Sequence, residues 1–141
     1  MKTVLIKVEF DEKARLLETL QVARDAWNDC SKRMFKNPQF GIKGTHDLCY
    51  RKARRKFPKL PSQFVIRVEQ SVLSAFRSIK SNHQKITKAP EKKKLSVQLD
   101  KRLYRLKGET IVLTTIGARI VGKILFYPRA KDLMRGGFGD P

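Results

Sequence analysis

Acidic residues are scarce in this chain of 141 residues: 13 Asp and Glu stand against 32 Lys and Arg, leaving a net charge of +19. Colloidal solubility asks for much less in a domain of this size, so the surplus calls for a polyanionic partner. Cysteine is almost absent. Cys30 and Cys49 are the only two, which excludes a small disulfide-framework domain. Each sits inside a helical pattern and reads as a buried reduced thiol. No apolar run approaches the roughly 20 residues that span a bilayer, and the opening MKTVLIKVEF is too short and too charged for a signal peptide. A cytosolic protein without a membrane partner is expected. With 40% hydrophobic content, the chain can still bury a core as one domain or two small joined ones.

Catalytic signatures are missing as well. The chain has no Walker-type phosphate loop, no His-Glu-x-x-His and no serine in a nucleophile-elbow setting. His46 and His83 fall in separate helical patterns without nearby cysteine pairs, so no metal site is expected. Asp11, Glu12, Glu18, Asp25 and Asp29 are spread along one helix among lysines and arginines. They read as i,i+4 partners on a solvated face rather than as a convergent two-metal set. The expectation is a protein with no catalysis and no cofactor.

What is present is an ordered run of elements. Residues 3–10 are β-branched and aromatic and read as a strand leading to Asp11, a good helix N-cap. Leu16, Leu20, Ala23, Trp27, Cys30 and Met34 then recur at spacings of three and four, one face of a helix. The turn chemistry of NPQFGIKGT marks a loop. Thr45 is expected to cap a second helix through Phe57, and PKLP to stop it. Ser62 caps a third helix with Val65, Val68, Val72, Phe76 and Ile79 on its apolar stripe. From Ala89 the apolar period changes to two. Leu95, Val97 and Leu99, then Leu103, Ile111 and Leu113, then RIVGKILFYP and TTIGA, suggest short antiparallel strands. The fold class expected is α+β: a three-helix cluster inserted into a small antiparallel β-barrel, with the N-terminal strand pairing with the C-terminal strands. The domains would be a barrel strand over 1–10, helices over 11–88 and the barrel over 89–141 with a loose tail, RAKDLMRGGFGDP.

The positive charge has a location. Residues 51–107 hold 18 bases and 3 acids, against 9 and 7 before them and 5 and 3 after. Arg51, Lys52, Arg54, Arg55 and Lys56 exceed what a helix C-terminus can use and point to phosphate contact. On the third helix Gln63, Arg67, Gln70, Arg77 and Lys80 lie off the apolar stripe. Arg and Gln pair with guanine and adenine edges, so this helix is the candidate for base readout. Lys92, Lys93 and Lys94, followed by Lys101, Arg102, Arg105 and Lys107 around Tyr104, suit an RNA groove. The first three would equally serve to protect a sheet edge from pairing with other chains.

The order of parts carries a resemblance: a short strand, a helix with Trp27 and Asn28, LPSQ at 60–63 opening a helix that ends AFRSIKS, then VQLDKRLYRLKGETIVLTTIGARI. Over nearly its whole length the chain resembles the N-terminal half of TnpB, the OrfB-type transposon protein family related to type V CRISPR effectors. The resemblance implies a helical recognition domain inserted into a wedge β-barrel that grips guide RNA and helps read a short motif in duplex DNA. It would put Gln63, Arg67 and Gln70 near DNA and the basic stretch 92–107 near RNA. The family's nuclease half, with three RuvC-type carboxylates and a four-cysteine zinc ribbon, would follow where this chain stops. A truncated or separately encoded piece is expected, one that binds without cleaving and works beside a separate nuclease half. The alternative from another class is a structural, ribosome-associated RNA-binding protein.

Overall fold

The computed structural model describes Thr3 and residues 5–125. The fold is α+β. A first strand, β1 (Lys7–Phe10), is followed by three helices, α1 (Lys13–Lys36), α2 (Ile42–Lys56) and α3 (Ser62–Ser81). Three further strands come after them: β2 (Tyr104–Lys107), β3 (Thr110–Thr114) and β4 (Arg119–Leu125). One antiparallel sheet takes the order β1-β4-β3-β2. The N-terminal strand does pair with the last one, Val8 opposite Ile124 and Phe10 opposite Gly122, so the helices interrupt the sheet in sequence.

Among the described residues the sheet stays open, with β1 and β2 as its edges, where a closed barrel was expected. Closure needs a strand between those edges, and the stretch expected to supply one lies on the helices. Val97 and Leu99 pack against the helical core, while Leu95 remains exposed. The Lys92 backbone is held by one side chain: its N–H donates to Asn28 Oδ1 at 2.7 Å and its C=O accepts from Asn28 Nδ2 at 3.0 Å. Ser31 Oγ donates to the Pro90 C=O at 2.6 Å. The alternation at 95–99 therefore marks an extended segment with one side on helices, not a strand in a ladder. TTIGA is likewise the β3–β4 turn, with Gly117 at φ 82 and Thr115 Oγ1 donating to the Ala118 C=O at 2.7 Å. The end of the last expected strand at 126–128 and the tail at 129–141 lie outside the described residues.

Helix starts differ from the expected caps. Asp11 extends the β1–β4 pairing instead: its N–H donates to the Val121 C=O at 3.1 Å and its Oδ1 accepts from the Val121 N–H at 3.2 Å. Thr45 is buried within the first turn of α2, where its hydroxyl donates to the Gly41 C=O at 2.8 Å. Ser62 is the first helical residue after Pro61 and makes no capping bond. The clearest terminus is the end of α3. His83 takes φ 55 and donates to the Lys80 C=O at 3.0 Å, and Gln84 N–H reaches back to the Ile79 C=O at 3.1 Å. These are the two bonds of a Schellman motif, made here with histidine where glycine is usual.

The core joins the layers. Ala23, Ala26, Trp27, Cys30 and Met34 of α1 meet Cys49 and Ala53 of α2 and Phe64, Val65, Val68, Val72, Leu73 and Phe76 of α3. Each large side chain buried here contributes about 1.5–3 kcal/mol. Trp27 Nε1 donates to Ser71 Oγ at 3.1 Å, satisfying the one polar atom of the indole. Leu103 and Ile116, flanking the β2–β3 hairpin, enter the same core. The Ile116 N–H donates to Thr19 Oγ1 at 3.1 Å, and its C=O accepts from Arg15 Nη1 at 3.1 Å, which pins the sheet to α1. Gly108, at φ 60, takes the first position of the two-residue β2–β3 turn, a place where glycine relieves the backbone.

Candidate nucleic-acid interface

Strand alternation sorts the sheet into two faces. Leu113 and Ile120 are buried opposite each other, as are Ile111 and the backbone of Gly122. The other face carries the cross-strand rows Arg105–Val112–Val121 and Thr114–Arg119, then Lys107–Thr110–Lys123. At the β2 end of this face is a cleft of about 250 Å³ whose lining includes Val112, Thr114, Leu103 and Tyr104. Lys101, Arg102, Arg105, Lys107 and Arg119 line it, and among the described residues no carboxylate does. Like charges gathered around one concavity repel one another, so a bound anion relieves that cost. Arg119 was missed in the sequence because it lies outside the basic middle. Its register opposite Thr114 brings it to the cleft.

Arg102 links this cleft to α3. Its Nη1 donates to Gln63 Oε1 at 3.2 Å, and its backbone N–H donates to Asp100 Oδ1 at 2.9 Å. Gln63 Nε2 in turn donates to Asp100 Oδ2. One turn further, Arg67 Nη1 donates to Gln70 Oε1 at 2.8 Å and Nη2 to Gln98 Oε1 at 3.1 Å. Gln63, Arg67, Gln70 and Arg102 are thus brought together along the seam between α3 and the 98–102 segment. Arg102 engages Gln63 and Arg67 engages Gln70, while the Nε of Arg67 is buried without a partner.

The other candidates are dispersed. Arg51, Lys52 and Arg55 are exposed on α2. Arg54 is half-buried, with Nη1 donating to the Leu60 C=O at 2.7 Å, and so holds the α2–α3 connection. Lys56 Nζ bonds Asp29 Oδ1 at 3.0 Å, and Arg33 Nε bonds Oδ2 at 2.9 Å. Burial opposes ionisation of Asp29, but these two cations outweigh it and hold the carboxyl below its usual range. Arg77 and Lys80 lie about 20–25 Å along α3 from Gln63. There Arg77 Nε donates to the Phe40 C=O at 2.9 Å, and Lys80 Nζ sits 4.1 Å from the Phe40 ring centroid. Lys92 Nζ donates to the Ser96 C=O at 2.6 Å, and burial lowers its pKa. Lys93 and Lys94 are exposed. Among the described residues, Lys56 is the one cation of the 51–107 stretch that forms an ion pair with a carboxylate.

The histidines have structural surroundings. His46 Nδ1 lies 2.6 Å from Glu69 Oε1, and its ring stacks on Tyr50 at a centroid distance of 4.5 Å. Burial raises the Glu69 pKa, the facing His46 pulls it down less, and Glu69 Oε2 is buried without a partner. Among the described residues, no group of three or more His, Cys, Asp or Glu side chains gathers to hold a metal ion, and no helix is long and apolar enough to cross a membrane. A wider open concavity, about 870 Å³, lies at the start of α1 among Asp11, Glu12, Glu18 and Lys13, Arg15, Lys59. Its mixed charge makes it a poorer anion site than the all-cationic cleft.

No protein-family model, no curated protein and no solved structure matches this chain.

Proposed function

We propose that this chain is a nucleic-acid-binding module of the TnpB-like kind, a helical recognition cluster carried on a wedge-like sheet, which grips guide-like RNA and target duplex DNA and leaves cleavage to a separately encoded nuclease half. The observation that carries the proposal is the cleft lined by Lys101, Arg102, Arg105, Lys107 and Arg119 with no carboxylate among the described residues of its lining. Arg102 extends it to Gln63 on α3, so a backbone lying in the cleft continues along the α3 seam. Phosphates would supply the missing negative charge, and Arg is suited to holding them through two parallel bonds.

A second reading has an observation of its own. The side chains proposed for base readout, Gln63 and Gln70, are engaged by Asp100, Arg102 and Arg67. That favours recognition of RNA by shape and phosphate over recognition of DNA sequence, as in a structural RNA-binding protein.

Fluorescence anisotropy with a single-stranded RNA, an RNA hairpin and a duplex DNA, each titrated at several salt concentrations, tests both. Six or more phosphate contacts make affinity fall roughly a thousandfold or more between about 50 and 200 mM salt. A salt-insensitive affinity would sink the proposal. Binding to RNA that duplex DNA cannot compete away would favour the second reading.

A further inference from the structure

The chain's only two cysteines meet in the core. Cys30, in the C-terminal half of α1, is 2% exposed and Cys49, midway along α2, is 1% exposed; their Sγ atoms are 2.7 Å apart. Both are free thiols. A covalent link needs the two sulfurs to close further, to about 2.05 Å. The helices already present the two thiols to each other, buried side by side. Nothing in the nucleic-acid reading uses this pair.

We propose that Cys30 and Cys49 are a site of reversible disulfide formation that fastens α1 to α2, with a small-molecule disulfide such as oxidised glutathione as the oxidant. One cysteine thiolate attacks a glutathione sulfur, forms a mixed disulfide and expels one glutathione thiolate. The second cysteine thiolate attacks the protein sulfur of that mixed disulfide, forms the Cys30–Cys49 bond and expels the other. The two protein thiols lose two electrons and two protons. The oxidant takes up both electrons, and the protons end on the two glutathiones released.

The surroundings set the rate. The bond to Cys49, burial, and the nearby Glu69 and Asp29 carboxylates all disfavour the Cys30 thiolate, raising its pKa far above the ordinary thiol range. Exchange therefore waits on a transient parting of α1 from α2, and the finished disulfide is shielded from reductant by the same burial. The bond closes the loop from 30 to 49, restrains the unfolded chain and raises the melting temperature by up to about 10 °C.

The experiment incubates the full reduced chain with oxidised glutathione under native conditions. Free thiols, intact mass and Tm are followed, and peptides are then mapped. The expected result is slow loss of both thiols together, a mass lower by two hydrogen atoms, a linked Cys30–Cys49 peptide pair, and a higher Tm that dithiothreitol reverses. Persistent thiols, stable glutathione adducts, dimers linked between chains, a bond that forms only in urea, or a Tm that does not rise would each overturn the proposal. The double variant Cys30→Ala/Cys49→Ala is expected to melt at the same temperature with and without the oxidant. If its Tm shifts as the parent's does, the site is not this pair.

Discussion

The docking of β1 onto β4 rests on Gly122, and Gly122→Ala is the sharpest perturbation of it. A Cβ at this position would come within 2.5 Å of Val8 Cγ1 and 2.9 Å of two Phe10 ring carbons. The Phe10 ring can swing aside. Val8 cannot, because its β-branched side chain is confined in χ1 and its backbone is held in register opposite Ile124. The strand must therefore shift, and overpacking of this kind costs about 1–3 kcal/mol, or a Tm lower by roughly 3–12 °C. Urea denaturation of wild type, Gly122→Ala, Val8→Ala and the double variant forms a cycle. Val8→Ala is expected to relieve the Gly122→Ala penalty, with a coupling energy of about 0.5–3 kcal/mol. Full stability of Gly122→Ala, or strictly additive effects, would show that the N-terminal strand does not pack against β4 in this register.

Further consequences follow from single contacts. A carboxyl whose pKa is raised in the folded state holds its proton better folded than unfolded, so Glu69 makes stability fall as pH climbs from its ordinary 4.5 through the raised value. Glu69→Gln removes that titration, and its urea midpoint is expected to vary less with pH than the wild type's over this window; parallel profiles would contradict the assignment. His83→Gly relieves a left-handed backbone in the α3 terminus and is expected to stabilise by about 1 kcal/mol, a rise in Tm that calorimetry detects. Arg54→Ala loses its bond to the buried Leu60 segment and is expected to cost about 1–2 kcal/mol in denaturant titrations. Arg55→Ala, exposed on the same helix, is expected to leave stability within about 0.5 kcal/mol and to weaken nucleic-acid binding to all sequences alike.

The first and third helices were legible from their apolar spacing, the second from the loop and stop around it. Trp27, Cys30 and Met34 on α1 and Val65, Val68, Val72 and Phe76 on α3 are buried as the period requires. Buried Thr19, Ser31 and Glu69 were not, since each owes its place to a partner distant in sequence: the Ile116 N–H, the Pro90 C=O and His46. The pairing of residues 7–10 with the last strand could be inferred from the instability of a lone hairpin. The misread segment 95–99 shows the limit of that reasoning. A two-residue period records which side of an extended chain is buried, and helices impose it as well as a sheet does. Of the candidate interface, Lys101, Arg102, Arg105 and Lys107 were visible as a run, whereas Arg119 needed the β3–β4 register, and the bonds among Gln63, Asp100 and Arg102 and from Arg67 to Gln70 and Gln98 needed side-chain geometry.

The central claim is that the cations of the β2–β3–β4 cleft hold phosphates, and a salt titration of the triple variant Arg102→Gln/Arg105→Gln/Arg119→Gln against wild type tests it most directly. Each lost contact to a single strand removes about 0.7 from the slope of log affinity against log salt, so the three together make the line shallower by about 2. Across a fourfold rise in salt the wild type should then lose about 20-fold more affinity than the variant. Two parallel lines, with the variant folded, would contradict it.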